Sequence, residues 1–179
     1  MQAHYFIGVK IPEPVAKEMD KARRSWNLKS HKRYTHWSDM HITLLFIGND
    51  PHNEIQAAAQ ELANISHPPF ELTTGSVKTF GNPAKPRIIY ASVGDSSELA
   101  DLQRNVKEAL LRFNLSPDTK AFVPHITLAG KWAGGPPLEI EMEIEPMTFQ
   151  VTEFSLFRIE PGSVPKYIPE FTYQLRKGV

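Results

Sequence analysis

The tetrapeptide His-Ile-Thr-Leu occurs twice in this chain, at His41–Leu44 and at His125–Leu128. The two histidines are 84 residues apart, which is close to half of the 179-residue length. Exact repetition of so short a segment is by itself only modest support for a duplication. Because the copies are spaced by close to half of the chain, the repeat nevertheless predicts an internal duplication. A duplication also predicts that the elements before the two copies follow the same order.

Both copies follow the same order of predicted elements, namely a strand, a helix and then the tetrapeptide strand. Alternating β-branched and aromatic residues indicate the strands, and apolar residues at helical spacing indicate the helices. The elements are a strand at 5–11 and a helix at 14–26 before the first copy, and a strand at 87–93 and a helix at 97–113 before the second. This order predicts an α+β fold with two pseudo-symmetric lobes, each an antiparallel sheet with outer helices, around a central cleft.

The length and composition fit one domain with a sizeable core. A chain of 179 residues with 41% hydrophobic and 22% charged residues is ordinary for a globular protein and short for two independent domains. We expect a single domain over 1–179, with lobes of roughly 1–80 and 81–179 and with C-terminal strands free to cross back to the first lobe. The chain has no cysteine, so disulfides, thiol nucleophiles and cysteine-type zinc sites are excluded.

Strand geometry places the polar residues of each tetrapeptide on one face. Residues i and i+2 of a strand point the same way, so His41 shares a face with Thr43, and His125 with Thr127. The Ile and Leu of each copy point the other way, where they are expected to pack under the helices. If the lobes are related by a pseudo-twofold axis, the two His/Thr pairs face each other across the cleft.

Two imidazoles and two hydroxyls around one pocket are suited to displacement at phosphorus. Imidazole has an unperturbed pKa of ~6.5, so one ring is able to remove a proton while the other donates one. Hydroxyl groups hydrogen-bond the non-bridging phosphate oxygens, where charge accumulates. The scheme needs no metal and no cofactor. Two histidines without cysteine or a carboxylate at ligand spacing also make a poor zinc site.

Charge and hydropathy exclude several function classes. The formal net charge is zero and the sequence pI is about 7.1, so an RNA partner would have to be bound through local positive charge. The N-terminus lacks the pattern of a signal peptide, and no segment approaches the ~18 apolar residues of a membrane helix. We expect a cytoplasmic monomer with no membrane partner.

The repeated motif and its flanks resemble a known family, the 2H phosphoesterase superfamily. Within it, the chain is similar to the RNA 2′,3′-cyclic phosphodiesterases, historically called 2′-5′ RNA ligases. The resemblance runs from about residue 5 to residue 175. It is carried by His41–Gly48, Pro86–Val93, Phe122–Leu128 and Val151–Arg158, which match the first motif, the strand opening the second lobe, the second motif and a late core strand.

This resemblance implies that the chain is an enzyme that opens a ribose 2′,3′-cyclic phosphate to leave a 2′-phosphate, without a metal ion. The partner would be an RNA 3′ end or a small nucleotide with a cyclic phosphate. By analogy, His41 is the acid that protonates the leaving oxygen and His125 is the base that activates water, although the reverse division stays open. Thr43 and Thr127 would bind the phosphate.

One departure from the family concerns the residues after the second motif. The family often has an arginine near the phosphate at this point, whereas this chain has Ala129, Gly130 and Lys131. Lys131 is therefore a candidate phosphate ligand, although an ammonium group lacks the bidentate fork of a guanidinium group. The departure bears on the substrate subtype more than on the reaction class.

Further substrate-binding candidates are aromatic or basic residues near the motifs. Tyr34 and Trp37 lie in a basic segment, 29–37, of the kind that stacks on bases of single-stranded RNA. Trp132 follows the second motif, and Arg158 lies on a late strand. Each has a purely structural alternative as a loop, core or strand-edge residue. Four of the other five histidines are interpreted as surface loop residues: His31, His36, His52 and His67.

Two other functions remain open from sequence. A non-catalytic nucleotide- or RNA-binding module could keep the same fold, although both histidines are present. A phosphoesterase acting on another small cyclic phosphate would carry the same residues. A Ser-His-Asp hydrolase is disfavoured because no Gly-x-Ser-x-Gly motif occurs.

Overall fold

The computed structural model describes residues 2–178, which contain nine β-strands and three α-helices. The strands are β1 (His4–Lys10), β2 (His31–Tyr34), β3 (His41–Gly48), β4 (Phe70–Asn82), β5 (Lys85–Val93), β6 (His125–Trp132), β7 (Thr148–Val151), β8 (Glu153–Ile159) and β9 (Tyr167–Gln174). The helices are α1 (Glu13–Ser25), α2 (Ile55–Leu62) and α3 (Ser97–Ala109), and a 3₁₀ turn spans Trp37–Asp39. None of the helices within residues 2–178 is long and apolar enough to cross a membrane.

The strands form one antiparallel sheet in two halves. Its order is β7-β4-β5-β6-β3-β1-β8-β9, with β2 also paired to β6. The halves join where β3 meets β6, through a single residue pair, Ile42 and Ile126. Chain order and sheet halves do not coincide, because β2 and β4 lie in the half that holds β6, while β8 and β9 return to β1. The predicted α+β fold is confirmed.

The helices are fixed by sequence signals at their starts and by apolar faces along their lengths. Pro14 lies in the first turn of α1, where its missing N–H is not needed, and Met19 is fully buried. Ser96 caps α3 by accepting a hydrogen bond from the Leu99 N–H at 3.1 Å. Helix α1 contacts β6, the strand of the second tetrapeptide, and helix α3 contacts β3, the strand of the first. Each helix therefore packs beneath the tetrapeptide strand of the other copy.

The apolar residues of both tetrapeptides lie in the core on this helical side. Ile42, Ile126 and Leu128 are fully buried, and Leu44 is 2% exposed. Full burial of such a side chain contributes about 1.5–3 kcal/mol to folding. This burial fixes which face of β3 and β6 points toward the helices. The histidines and threonines are thereby held on the opposite face.

Segment 27–39 is not the simple loop that its polar composition predicts, because it contains β2 and the 3₁₀ turn. Strand β2 pairs with β6, and three of its four side chains are at least partly exposed, so its sequence lacks apolar alternation. His31 was expected at the surface, but it is 5% exposed, and its Nε2 lies 2.7 Å from the Pro86 carbonyl oxygen. His67 is also buried, so both interpretations as surface residues are wrong.

The C-terminal strands also differ from the sequence reading. The apolar and aromatic residues of 149–159 predict one strand, but the chain forms β7 and β8 with a break at Thr152. The break has a structural cause, because β7 pairs with β4 in one half of the sheet and β8 pairs with β1 in the other. The sequence of 171–176 predicts a last strand, but in the structure this strand begins earlier, at Tyr167.

Candidate active site

The two tetrapeptides lie side by side at the junction of the sheet halves. β3 and β6 run antiparallel, and their one paired position joins the two tetrapeptide isoleucines. In this register the flanking residues lie opposite each other, so His41 lies beside Thr127, and Thr43 beside His125. The sequence repeat thus produces a local twofold arrangement, with two imidazoles and two hydroxyls on one face.

Both imidazoles are held by the same backbone interaction. Nδ1 of His41 lies 2.8 Å from the carbonyl oxygen of Asp39, and Nδ1 of His125 lies 2.7 Å from the carbonyl oxygen of Val123. A carbonyl oxygen only accepts, so each Nδ1 carries a proton and donates it. Nε2 is therefore the nitrogen that exchanges protons in each ring, and the backbone fixes its orientation.

His41 lies in a largely aromatic environment. Its ring centroid is 4.6 Å from that of Phe6 and 4.9 Å from that of Tyr167, and its Nε2 accepts a hydrogen bond from the Thr43 hydroxyl at 2.9 Å. Burial, together with the smaller effect of the nearby His125, lowers the pKa of His41 to about 4, against the opposing effects of the Asp39 carbonyl and carboxylate. The ring is therefore neutral in the free protein at neutral pH.

His125 lies at the edge of an open cavity instead. Its ring makes edge contacts with Phe80 and Tyr90 at centroid distances of 5.1 and 5.4 Å. Thr43 and His125 line the same cavity of about 420 Å³. Its other lining side chains include aromatic and cationic groups, such as Phe46, Phe122, Arg87, Lys107 and Lys120. A cavity with this lining has the size and chemistry for one nucleoside.

Tyr34 and Trp37 pack toward α1 rather than toward the histidines. Arg23 of α1 lies 5.2 Å from the ring centroid of Tyr34, and Lys17 of the same helix lies 4.7 Å from that of Trp37. Tyr34 also pairs with Ala129 of β6. Each ring thus has a partner on α1, and the expectation that the two rings hold a nucleobase stays a prediction.

Trp132 and Arg158 are also engaged elsewhere. The Trp132 ring makes an edge contact with the ring of buried His31, at a centroid distance of 5.5 Å. The Arg158 guanidinium group forms ion pairs with Glu160 and Glu170. Both residues therefore have structural partners, and their contacts support the structural alternatives named for them from sequence.

Lys131 lies at the edge of the site with an unexpected neighbour. It is exposed, and its φ of 59° turns the chain at the end of β6. Gly130, which precedes it, pairs with Arg33 of β2. Nη2 of Arg33 lies 3.8 Å from the position that a Cβ atom on Gly130 would occupy. A guanidinium group therefore lies over Gly130, supplied by the neighbouring strand.

Sequence reasoning missed the side chains that surround the histidines. Phe6 and Tyr167 contact His41, and Phe80 and Tyr90 contact His125. One signal for Phe6 was available, because it alternates with buried Ile7 and so lies on the face of β1 that does not enter the helical core. No comparable signal marks Tyr167, which approaches His41 only because β9 crosses back.

Metal ligands do not gather in the part of the chain that the structure covers. Within residues 2–178, no three His, Cys, Asp or Glu side chains are close enough to hold a metal ion together.

Comparison with known proteins identifies the family. The family model of the 2′-5′ RNA ligase superfamily matches residues 11–162. The chain belongs to the 2′-5′ RNA ligase superfamily. It is 32% identical over 179 residues to an RNA 2′,3′-cyclic phosphodiesterase of Bacillus subtilis (strain 168), covering 98% of each chain. A relative of the same name from Geobacillus stearothermophilus is 33% identical, with 93% of this chain aligned to 55% of that protein.

Solved structures support the same fold. Escherichia coli LigT in complex with 3′-AMP has a TM-score of 0.79 at 20% identity, with 99% of this chain and 100% of that chain covered. The Thermus thermophilus protein TT0787 has a TM-score of 0.76 at 23% identity, with coverage of 98% and 100%. The predicted family and the prediction of a phosphodiesterase-type enzyme are both confirmed.

Proposed function

We propose that this member of the 2′-5′ RNA ligase superfamily hydrolyses the 2′,3′-cyclic phosphate of an RNA 3′ end or of a nucleotide, leaving a 2′-phosphate. The observation that carries the proposal is the matched pair of histidines. Each has its Nδ1 proton donated to a carbonyl two residues earlier, which leaves Nε2 for proton exchange. The relatives named for this activity support the substrate class.

The reaction needs one base, one acid and ligands for the phosphate. Nε2 of His125 takes a proton from water, whose oxygen forms the new bond to phosphorus. The bond from phosphorus to O3′ breaks, and Nε2 of His41 gives O3′ its proton. The 2′-phosphate stays on the ribose, and a proton exchange with solvent restores both rings. The hydroxyls of Thr43 and Thr127 donate to the non-bridging oxygens as their charge increases.

The lowered pKa of His41 sets a condition on its role as acid. At neutral pH the ring is neutral in the free protein, because burial lowers its pKa to about 4. A phosphate anion within about 4–6 Å favours the protonated imidazole, so substrate binding raises the pKa of His41 and the ring takes up from solvent the proton that the acid step uses. The same desolvation makes the protonated ring a stronger donor to the leaving oxygen.

The proposal is tested by hydrolysis of adenosine 2′,3′-cyclic phosphate and of a short RNA with the same terminus, in excess chelator. We expect a 2′-phosphate product, identified by ³¹P NMR. His41→Asn and His125→Asn should each lower kcat by about 10²–10⁴-fold, as expected for loss of an acid or a base. His52→Asn, which alters an exposed histidine, is the matched control and should retain the wild-type rate.

Two results would contradict this function. Activity that survives either histidine substitution would show that the paired rings do not carry the chemistry. A wild-type protein that binds both substrates without turnover would instead be a nucleotide-binding module of the same fold. Turnover of another cyclic phosphate alone would retain the mechanism and replace the substrate.

A further inference from the structure

Three cations lie together beside the paired histidines, and the reaction proposed above does not use them. Arg33 comes from β2, Lys131 from the end of β6, and Lys166 from the residue before β9. We call these three residues the cationic cluster. Arg33 lies over Gly130, next to Lys131 in the chain, with Nη2 3.8 Å from the position of a Cβ on Gly130. Burial lowers the pKa of Lys166, and the charges of Arg33 and Lys131 lower it further, so the three groups share one electrostatic field.

The cluster is not neutralised by carboxylate partners. None of its members forms an ion pair within residues 2–178, whereas the charges of five other arginines in that range are paired: Arg23, Arg24, Arg104, Arg112 and Arg158. One carboxylate lies nearby, that of Asp39, and it raises the pKa of Lys166. Asp39 Oδ1 accepts hydrogen bonds from the backbone N–H groups of Lys166 and Tyr167 at 2.9 and 3.2 Å. One buried carboxylate against three cations leaves the cluster positive.

The cluster lies at the His41 end of the site, outside the position of the reacting phosphate. Gly130 is three residues beyond Thr127 on β6, which at ~3.3 Å per residue is a separation of roughly 10 Å at most. At the other side, Lys166 precedes Tyr167, whose ring contacts His41 at a centroid distance of 4.9 Å. The cations are therefore placed for a second group on the same ligand.

Ribose chemistry identifies that group. If His41 protonates O3′, then C3′ and the atoms beyond it, C4′, C5′ and O5′, lie at the His41 end. The base is attached to C1′, at the other end of the sugar, and points toward the cavity of about 420 Å³ beside His125. The group that reaches the cluster is the phosphate on O5′.

We propose that Arg33, Lys131 and Lys166 bind the phosphate on O5′ of the terminal nucleoside, so that the enzyme favours a terminal nucleotide over an isolated nucleoside cyclic phosphate. This inference rests on the proposed function for its orientation. In an RNA chain the phosphate on O5′ is the phosphodiester to the preceding residue. The planar guanidinium group of Arg33 is suited to bind two of its oxygens at once.

The test compares three substrates that differ only at O5′: adenosine 2′,3′-cyclic phosphate, the same compound with a 5′-phosphate, and the dinucleotide ApA with a terminal cyclic phosphate. For each substrate with a phosphate on O5′, we compare kcat/KM with that of adenosine 2′,3′-cyclic phosphate. In Arg33→Gln we expect this ratio to fall about tenfold, because KM for the substrates with a phosphate on O5′ rises. Arg33→Lys should keep part of the ratio. Arg112→Gln removes an exposed arginine paired with Glu61 and is the matched control.

Salt dependence gives a readout that a structural role for Arg33 would not change. One phosphate contact contributes a slope of about −0.7 in the logarithm of affinity against the logarithm of salt concentration for single strands. The dinucleotide should show this extra slope with the wild type and lose much of it with Arg33→Gln. A gain from the 5′-phosphate and from ApA identifies the RNA 3′ end as the source, whereas a gain from the 5′-phosphate alone identifies a mononucleotide.

The inference and the proposed function fail separately. Calorimetry of adenosine 2′-phosphate against adenosine 2′,5′-bisphosphate measures the same preference without turnover. If the wild type is inactive but Arg33→Gln lowers this binding ratio, the phosphate site stands and the hydrolytic function is wrong. If Arg33→Gln leaves both the binding ratio and the kinetic ratio unchanged, or weakens all ligands equally, the proposed phosphate site is refuted.

Discussion

The titration of His41 should make the stability of the protein depend on pH in a defined window. Its pKa is about 4 in the folded protein, against about 6.5 for a solvated imidazole. Because the folded-state pKa is the lower of the two, the unfolded chain binds the proton first as the pH falls. The stability that depends on the neutral ring is complete above about pH 6.5 and is lost as the pH falls toward 4. At 1.36 kcal/mol per pKa unit, the loss is about 3 kcal/mol.

The assay is urea unfolding of the wild type and His41→Asn between pH 7 and pH 4. Asparagine keeps an N–H group that is able to bond the Asp39 carbonyl, but it does not titrate. The free energy of unfolding of the wild type should therefore fall by about 3 kcal/mol more than that of the variant over this range. His52→Asn, at an exposed position, should follow the wild type. Equal pH dependence in wild type and His41→Asn, or an NMR titration of the His41 ring near 6.5, would refute this reasoning.

Three further outcomes follow from the same site. Gly8→Ala would place a Cβ 2.8 Å from the Ile42 carbonyl oxygen and 3.2 Å from the Phe6 ring. In thermal denaturation the substitution should destabilise the fold by about 1–3 kcal/mol. It should also lower kcat, because it displaces the Phe6 ring that contacts His41. Asp39→Ala should cost about 1–3 kcal/mol in urea unfolding, because two backbone N–H groups at the start of β9 lose their acceptor. The affinity for sulfate should rise as the pH falls from 7 to 5, by up to about tenfold per pH unit, because sulfate binding is coupled to protonation of His41. Calorimetry that shows no dependence of sulfate affinity on pH would contradict the role of His41 as an acid.

The repeated tetrapeptide, with the matching elements before each copy, was sufficient to predict the fold class and to nominate candidate catalytic residues. Period-two alternation separates His41 and Thr43 from the buried Ile42, and the same rule applies to β6. The helices were equally readable, since apolar residues recur at helical spacing and Ser96 marks the start of α3. Both signals are local, and each depends only on residues within a few positions of one another.

The parts that sequence reading missed depend on contacts between distant segments. Strand β2 is polar and short, and it is a strand only because β6 offers it an edge. Arg33 therefore looked like one more charge in a basic loop, although its partner Gly130 lies 97 residues later. Arg23 and Lys17 of α1 contact the rings of Tyr34 and Trp37, and nothing in the local sequence of these two residues reveals those contacts.

The asymmetry that acid–base catalysis requires arises outside the repeat. The two histidines are followed by the same three residues and make the same Nδ1 bond to a carbonyl two residues earlier, so the duplicated strands alone would make them equivalent. The difference comes from unrepeated segments. Strand β9 crosses back to bring Tyr167 against His41, whereas His125 keeps an open cavity beside it. One ring is thereby desolvated while the other has an open cavity beside it, and in the proposed mechanism this difference, which comes from the C-terminal strands, separates the acid from the base.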